Sequence, residues 1–143
     1  MSLTRAFDIA LWLAGIGHFC ILGASLQIPF RFHWKDELAK LSRFNRKLMW
    51  VYSGFTLYVI ITFGTLTLRF HSEFLRGEPI ALGLALFIGG FWFIRLILDF
   101  AYYKNADWPK GVSFVVGHIL LDSLFVALTV TYLGLVIWHL DFL

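Results

Sequence analysis

The sequence predicts an all-α integral membrane protein, a four-helix bundle with both termini on the non-cytoplasmic side. Three observations carry that expectation. Of 143 residues, 59% are hydrophobic and only 15% charged, whereas a soluble domain averages roughly a quarter charged. Two runs free of Asp, Glu, Lys and Arg, Ile9–Phe30 with 22 residues and Leu48–Leu68 with 21, are each long enough to cross a hydrocarbon core of about 30 Å as a helix. Lys and Arg also gather on one side. Arg31, Lys35, Lys40, Arg43, Arg46 and Lys47 fall between the first two spans and Lys104 and Lys110 between the last two, against Arg5, Arg69 and Arg76 opposite. The positive-inside rule puts the basic loops in the cytoplasm.

Four spans of about 20 residues with short loops use up the chain, so residues 1–143 form one membrane domain. The net charge of +3 comes mostly from Arg31–Lys47. A basic segment between two spans is a topology signal, and no nucleic-acid partner is expected; the partner is the lipid bilayer. Cys20 lies inside the first apolar run, forms no internal disulfide, and lacks the small residues that precede a lipidated cysteine.

The first span covers about residues 8–28. Ala10, Ala14, Gly17, His18, Ile21 and Ser25 recur at helical spacing, a face of small residues that lets a neighbouring helix approach and turns His18 inward near mid-membrane. Pro29 is expected to end it. The run is as long as a full span and is followed by basic residues, which favours a retained helix over a cleaved signal peptide. Residues 33–44 place Trp34, Leu38 and Leu41 on one face among charges, the pattern of a helix lying in the headgroup region. The second span, about 48–68, begins with the interfacial aromatics Trp50 and Tyr52. A polar hairpin follows, with Pro79 suited to the first turn of a third span over about 80–103. Asp107 is placed to cap the fourth span, about 111–138.

Arg95 and Asp99 stand one helical turn apart in the third span, as do His118 and Asp122 in the fourth. At about 1.5 Å per residue, Arg95 and Asp99 lie about 6 and 12 Å from mid-membrane, and Asp122 and His118 about 4 to 5 and 10 Å on the same side. The levels pair Arg95 with Asp122 and Asp99 with His118. An unpaired charge at such depth costs about 2.5 to 3.5 kcal/mol on insertion scales, so the four are expected to meet inside the bundle. Trp92 is spaced for a cation–π contact with Arg95. Phe125, Thr129, Tyr132 and His139 extend the fourth helix's stripe, while His33, His71 and His139 fall near interfaces or in loops.

Two intramembrane histidines, His18 and His118, raise haem b or quinone binding. Axial ligands must lie at one level, and a depth offset of about 10 Å disfavours a bis-histidine haem, leaving a single-ligand haem or a quinone held by His118 and Arg95. His118, Asp122, Asp99 and His18 are suitable metal ligands, but Arg95 beside them repels a cation, so no metal is expected. Metalloprotease, phosphate-loop and dithiol motifs are absent from the sequence.

Along Leu41-Ser42-Arg43-Phe44-Asn45-Arg46-Lys47-Leu48-Met49-Trp50-Val51-Tyr52, Phe63-Gly64-Thr65-Leu66-Thr67-Leu68, Phe91-Trp92…Arg95…Asp99 and Ala106-Asp107-Trp108-Pro109, the chain resembles an uncharacterised family of small four-span bacterial membrane proteins. The resemblance implies four spans and a place in a bacterial inner membrane, and carries no activity with it. The residues themselves point first to proton relay or small polar ligand binding at Arg95, Asp99, His118 and Asp122, alone, as a homo-oligomer or within a larger membrane complex. A redox subunit and a ligand-free assembly subunit are the other readings.

Overall fold

The computed structural model describes residues 2–103 and 105–141; Lys104, counted above among the basic loop residues, lies outside them. Four long helices, each long and apolar enough to cross a membrane, form the bundle: α1 (Leu3–Arg31), α3 (Arg43–Arg69), α5 (Pro79–Ile97) and α6 (Val112–Asp141), with short α2 (Trp34–Glu37) and α4 (His71–Arg76) between them. Among the described residues there is no strand. Large apolar side chains cover the outside, as with Leu13, Phe55, Phe87 and Val130, each more than 60% exposed, whereas His18 and Thr67 are fully buried. That inversion belongs to a protein whose outer solvent is lipid.

Local chemistry sets the ends. Ser2 and Ser42 accept the backbone N–H groups of Arg5 and Asn45, each at 3.3 Å, and so cap α1 and α3. Pro29 does not stop α1. Its missing N–H leaves the carbonyl of Ser25 without a helical donor, yet the helix runs two residues further, until His33 turns left-handed at φ 53°. The segment expected as one interfacial helix over 33–44 is divided into α2 and a 3-10 turn, Leu38–Lys40, because Ser42 starts α3. Leu38 is buried and Trp34 meets Trp50 edge to face, while Leu41 stays exposed. Pro79 opens α5 as expected. Asp107 is not the residue next to the start of α6: it lies in a 3-10 turn, Asn105–Asp107, and Pro109 and Gly111 (φ 134°) delay the helix to Val112.

α1 packs chiefly on α3 and α5 on α6, and α1 also meets α6. Phe63 of α3 closes the ring by setting its edge against Phe87 and Phe91 of α5. The small-residue face of α1 is the packing face, with Ala14, Gly17, His18 and Ile21 buried. Its counterpart on α3 is Gly64, where a Cβ would stand 2.9 Å from Phe19 Cε2 and 3.3 Å from the carbonyl oxygen of Gly15. Where the chain turns from α4 into α5, Gly77 combines φ 70° with a place that a Cβ would share with the imidazole of His139. His139 itself donates from Nε2 to the carbonyl of Leu75, 3.1 Å away, tying the end of α6 to α4. Outside the spans, Glu73 is held below the ordinary carboxylate range by its own backbone N–H and the Ser72 hydroxyl.

Gly64→Val is expected to lower stability by about 1–3 kcal/mol through overpacking of α1 against α3. Gly54→Ala, where nothing lies within 4 Å of the added Cβ, is not. Thermal unfolding in detergent micelles compares the two.

Candidate functional site

The polar side chains inside the bundle fall into three groups. At the end carrying both termini, His71 Nε2 and Asp8 Oδ1 are hydrogen-bonded at 2.5 Å, and Trp12 stacks on the imidazole at 4.3 Å. At the centre, His18 donates from Nδ1 to the carbonyl of Ala14 at 2.8 Å and accepts at Nε2 from the indole N–H of Trp92 at 2.9 Å. Beside it the Tyr132 hydroxyl meets Thr67 Oγ1 at 2.6 Å, and Thr67 donates its own proton to the carbonyl of Phe63 at 2.8 Å. Tyr132 is therefore the donor of that pair. Each polar side-chain atom of the central group has a hydrogen-bond partner within the chain.

The third group lies at the opposite end, which carries the basic loops. α5 presents Arg95, and a π-helical turn, Leu98–Tyr102, carries Asp99; its signature bond runs from the Tyr103 N–H back to the Leu98 carbonyl at 3.1 Å. Such turns recur at functional sites because the widened turn re-aims side chains. No proline or glycine marks it in Leu98-Asp99-Phe100-Ala101-Tyr102, and the sequence predicts plain helix there. α6 presents His118 and Asp122 from one face, and Trp108 lies flat on the His118 ring at 3.8 Å.

All four expected residues meet, but with different partners. Arg95 pairs with Asp99 on its own helix, and His118 Nε2 stands 2.9 Å from Asp122 Oδ2, also within one helix. The depth-matched pairs Arg95–Asp122 and Asp99–His118 are not the ion pairs formed, because spacing of four along a helix brings side chains together before any neighbour can. What crosses between α5 and α6 is the Asp99 carboxyl against Asp122 and His118. One ligand atom from each of the three lies within 4.8 Å of the other two. The Asp99 side chain is 1% exposed and that of Arg95 34%. Arg95 does not use Trp92 for its cation–π contact; its guanidinium carbon sits 5.5 Å from the Phe125 ring and 5.9 Å from that of Tyr103, while Trp92 stacks on Phe125.

This group is also where hydrogen bonding is incomplete. Among the described residues, the buried side-chain atoms without a hydrogen-bond partner are His71 Nδ1, Asp99 Oδ2, His118 Nε2 and Asp122 Oδ1. Three of the four belong to the cluster. A pocket of about 390 Å³ between the ends of α1 and α6 opens onto His118 of this group, lined also by Ile28, Phe114, Leu121, Trp108 and Arg31, the last bonded to Ser113 Oγ at 2.7 Å.

His18 does not join His118 in one site. Both its ring nitrogens are engaged, and Trp92 and Phe125 stand between it and Arg95, so a haem spanning the two histidines has no ligand to take from α1. The partnership of His18 with Trp92 was within reach of the depth argument, since both lie near mid-membrane and a buried indole N–H needs an acceptor. Trp108 over His118 and the His71–Asp8 pair had no such signal, because loop residues carry no depth. Comparison with known proteins gives no match to a family model, a curated protein or a solved structure.

Trp92→Phe removes the donor to a fully buried acceptor, His18 Nε2. It is expected to cost about 1–3 kcal/mol of stability, measured by equilibrium unfolding.

Proposed function

We propose that this is a bacterial inner-membrane protein, its basic end in the cytoplasm, whose Arg95, Asp99, His118 and Asp122 take up a small cation from the adjoining pocket and pass it on. The proton is the smallest such cation. The observation supporting this is an imbalance of charge. Two carboxylates share the cluster with one guanidinium, so with a neutral imidazole it holds one negative charge in excess. Uncompensated charge inside a bundle is costly, and a bound cation removes the cost. The proton relay and the small-ligand site expected from the sequence are two forms of this reading. His118 is the exchange point, because it faces the pocket on one side and Asp122 on the other.

A purely structural role fits less well. Pairs that fix helix register bridge helices, whereas the Arg95–Asp99 pair and the His118–Asp122 contact each lie within one helix, and the contact across α5 and α6 sets carboxylate against carboxylate. The redox reading keeps only the pocket beside His118 once His18 is removed from it.

Asp122→Asn is expected to raise the melting temperature of the cation-free protein, since it removes the excess charge. It is also expected to erase the stabilisation that acidification or added cation gives the wild type, about 2.7 kcal/mol at a hundredfold excess over Kd. Thermal unfolding in detergent measures both. A variant that responds as fully as the wild type would sink the reading.

A further inference from the structure

We infer that Asp99, His118 and Asp122 form a binding site for a divalent first-row transition metal ion, coordinated by one imidazole nitrogen and two carboxylate oxygens. The inference rests on the small-cation reading of this cluster and names the cation. Its first support is convergence. The three ligand atoms come from two helices and lie within 4.8 Å of one another. An ion at the usual 2.0–2.2 Å from each holds such atoms about 3.4 Å apart in a tetrahedral site, a contraction that side-chain rotation supplies.

The second support is unfilled bonding capacity at all three ligands. His118 Nε2 and Asp122 Oδ2 stand only 2.9 Å apart, yet Nε2 makes no hydrogen bond, and Asp99 Oδ2 and Asp122 Oδ1 have none either. The chain holds its own comparison at the opposite end. His71 Nε2 and Asp8 Oδ1, also a histidine and an aspartate in contact, do meet as a hydrogen bond. Asp99 Oδ2 is the most telling of the orphaned atoms, since its side chain is 1% exposed and no protein group within the bundle bonds it.

The surroundings fix the ligands as outer partners of metal sites do. Arg95 takes Asp99 Oδ1, leaving Oδ2 as the ligand, and Trp108 clamps the plane of His118. Arg95 was the reason to expect no metal. Its charge is spent on Asp99 and over the Phe125 ring, which moderates the repulsion and suits a site that releases its ion. One nitrogen among oxygens selects Zn²⁺, Mn²⁺ or Fe²⁺ over the all-oxygen preference of Ca²⁺ and Mg²⁺. Three protein ligands leave a position for water or an anion. With hydroxide there, a divalent ion, two carboxylates and Arg95 sum to zero charge.

The test uses the full chain in detergent or nanodiscs, stripped with a chelator and titrated with Zn²⁺ by calorimetry and with Co²⁺ by absorption. One ion per chain is expected. Asp122→Asn and His118→Gln should weaken it by about 100-fold or more, beyond the 10- to 100-fold cost of altering an outer partner, while Asp8→Asn leaves it unchanged. X-ray absorption of the Zn²⁺-loaded wild type reads the shell without any variant, and one imidazole with oxygen ligands is the expected spectrum. Failure of the wild type to bind at millimolar metal, equal binding in Asp122→Asn, or a shell of several imidazoles each overturns the metal assignment. If the wild type still responds to acid with Asp122 intact, the small-cation reading survives that failure; if it responds to neither, both fall.

Discussion

Inside a bilayer no bulk water completes a hydrogen bond, so each polar group within the bundle must be satisfied by the chain or by something the chain holds. The centre of this protein obeys that constraint fully. His18, Trp92, Tyr132 and Thr67 sit at the crossing of all four long helices, and each of their polar side-chain atoms has a hydrogen-bond partner there. Because Trp92 of α5 can reach His18 of α1 only when the helices are in one register, the bond ties packing to polarity. Glycines at 64 and 89 let the backbones come close enough for it to form.

Against that background the cluster at the basic end stands out. It lies one aromatic layer away, past Trp92 and Phe125, and there satisfaction stops. Two carboxylates face each other across α5 and α6, three buried atoms lack partners, and the helix that carries Asp99 departs from α geometry. A chain that satisfies every central group and leaves this one open has the marks of a site held ready for a ligand, as proposed above. The aromatic layer of Trp92 and Phe125 separates that site from the central group and from the His71–Asp8 pair at the other end.

The opposite end shows what the same residue types do when they serve only each other. His71 and Asp8 close α4 onto α1 under Trp12, and His139 closes α6 onto α4 through the Leu75 carbonyl. Histidine therefore plays three parts in one small bundle: a central hydrogen-bonding hub, an outer clasp and a wall of the pocket.

By itself the sequence determined the class, the number of helices and the residues of the cluster. All of these follow from one energetic fact, that apolar runs partition into lipid and isolated charges within them do not, and that fact acts along the chain where spacing can be counted. Depth along each helix placed Arg95, Asp99, His118 and Asp122 together because rise per residue is fixed. Their pairing was beyond it. Which oxygen faces which nitrogen depends on rotation about the helix axis, and here also on a π-helical turn at Leu98–Tyr102 that no proline or glycine announces. The tertiary structure decided that the Arg95–Asp99 and His118–Asp122 contacts stay within helices, that His18 is fully occupied by Ala14 and Trp92, and that Trp108 folds back over His118. Those choices rest on side-chain directions across interfaces, a quantity that spacing along one chain does not contain.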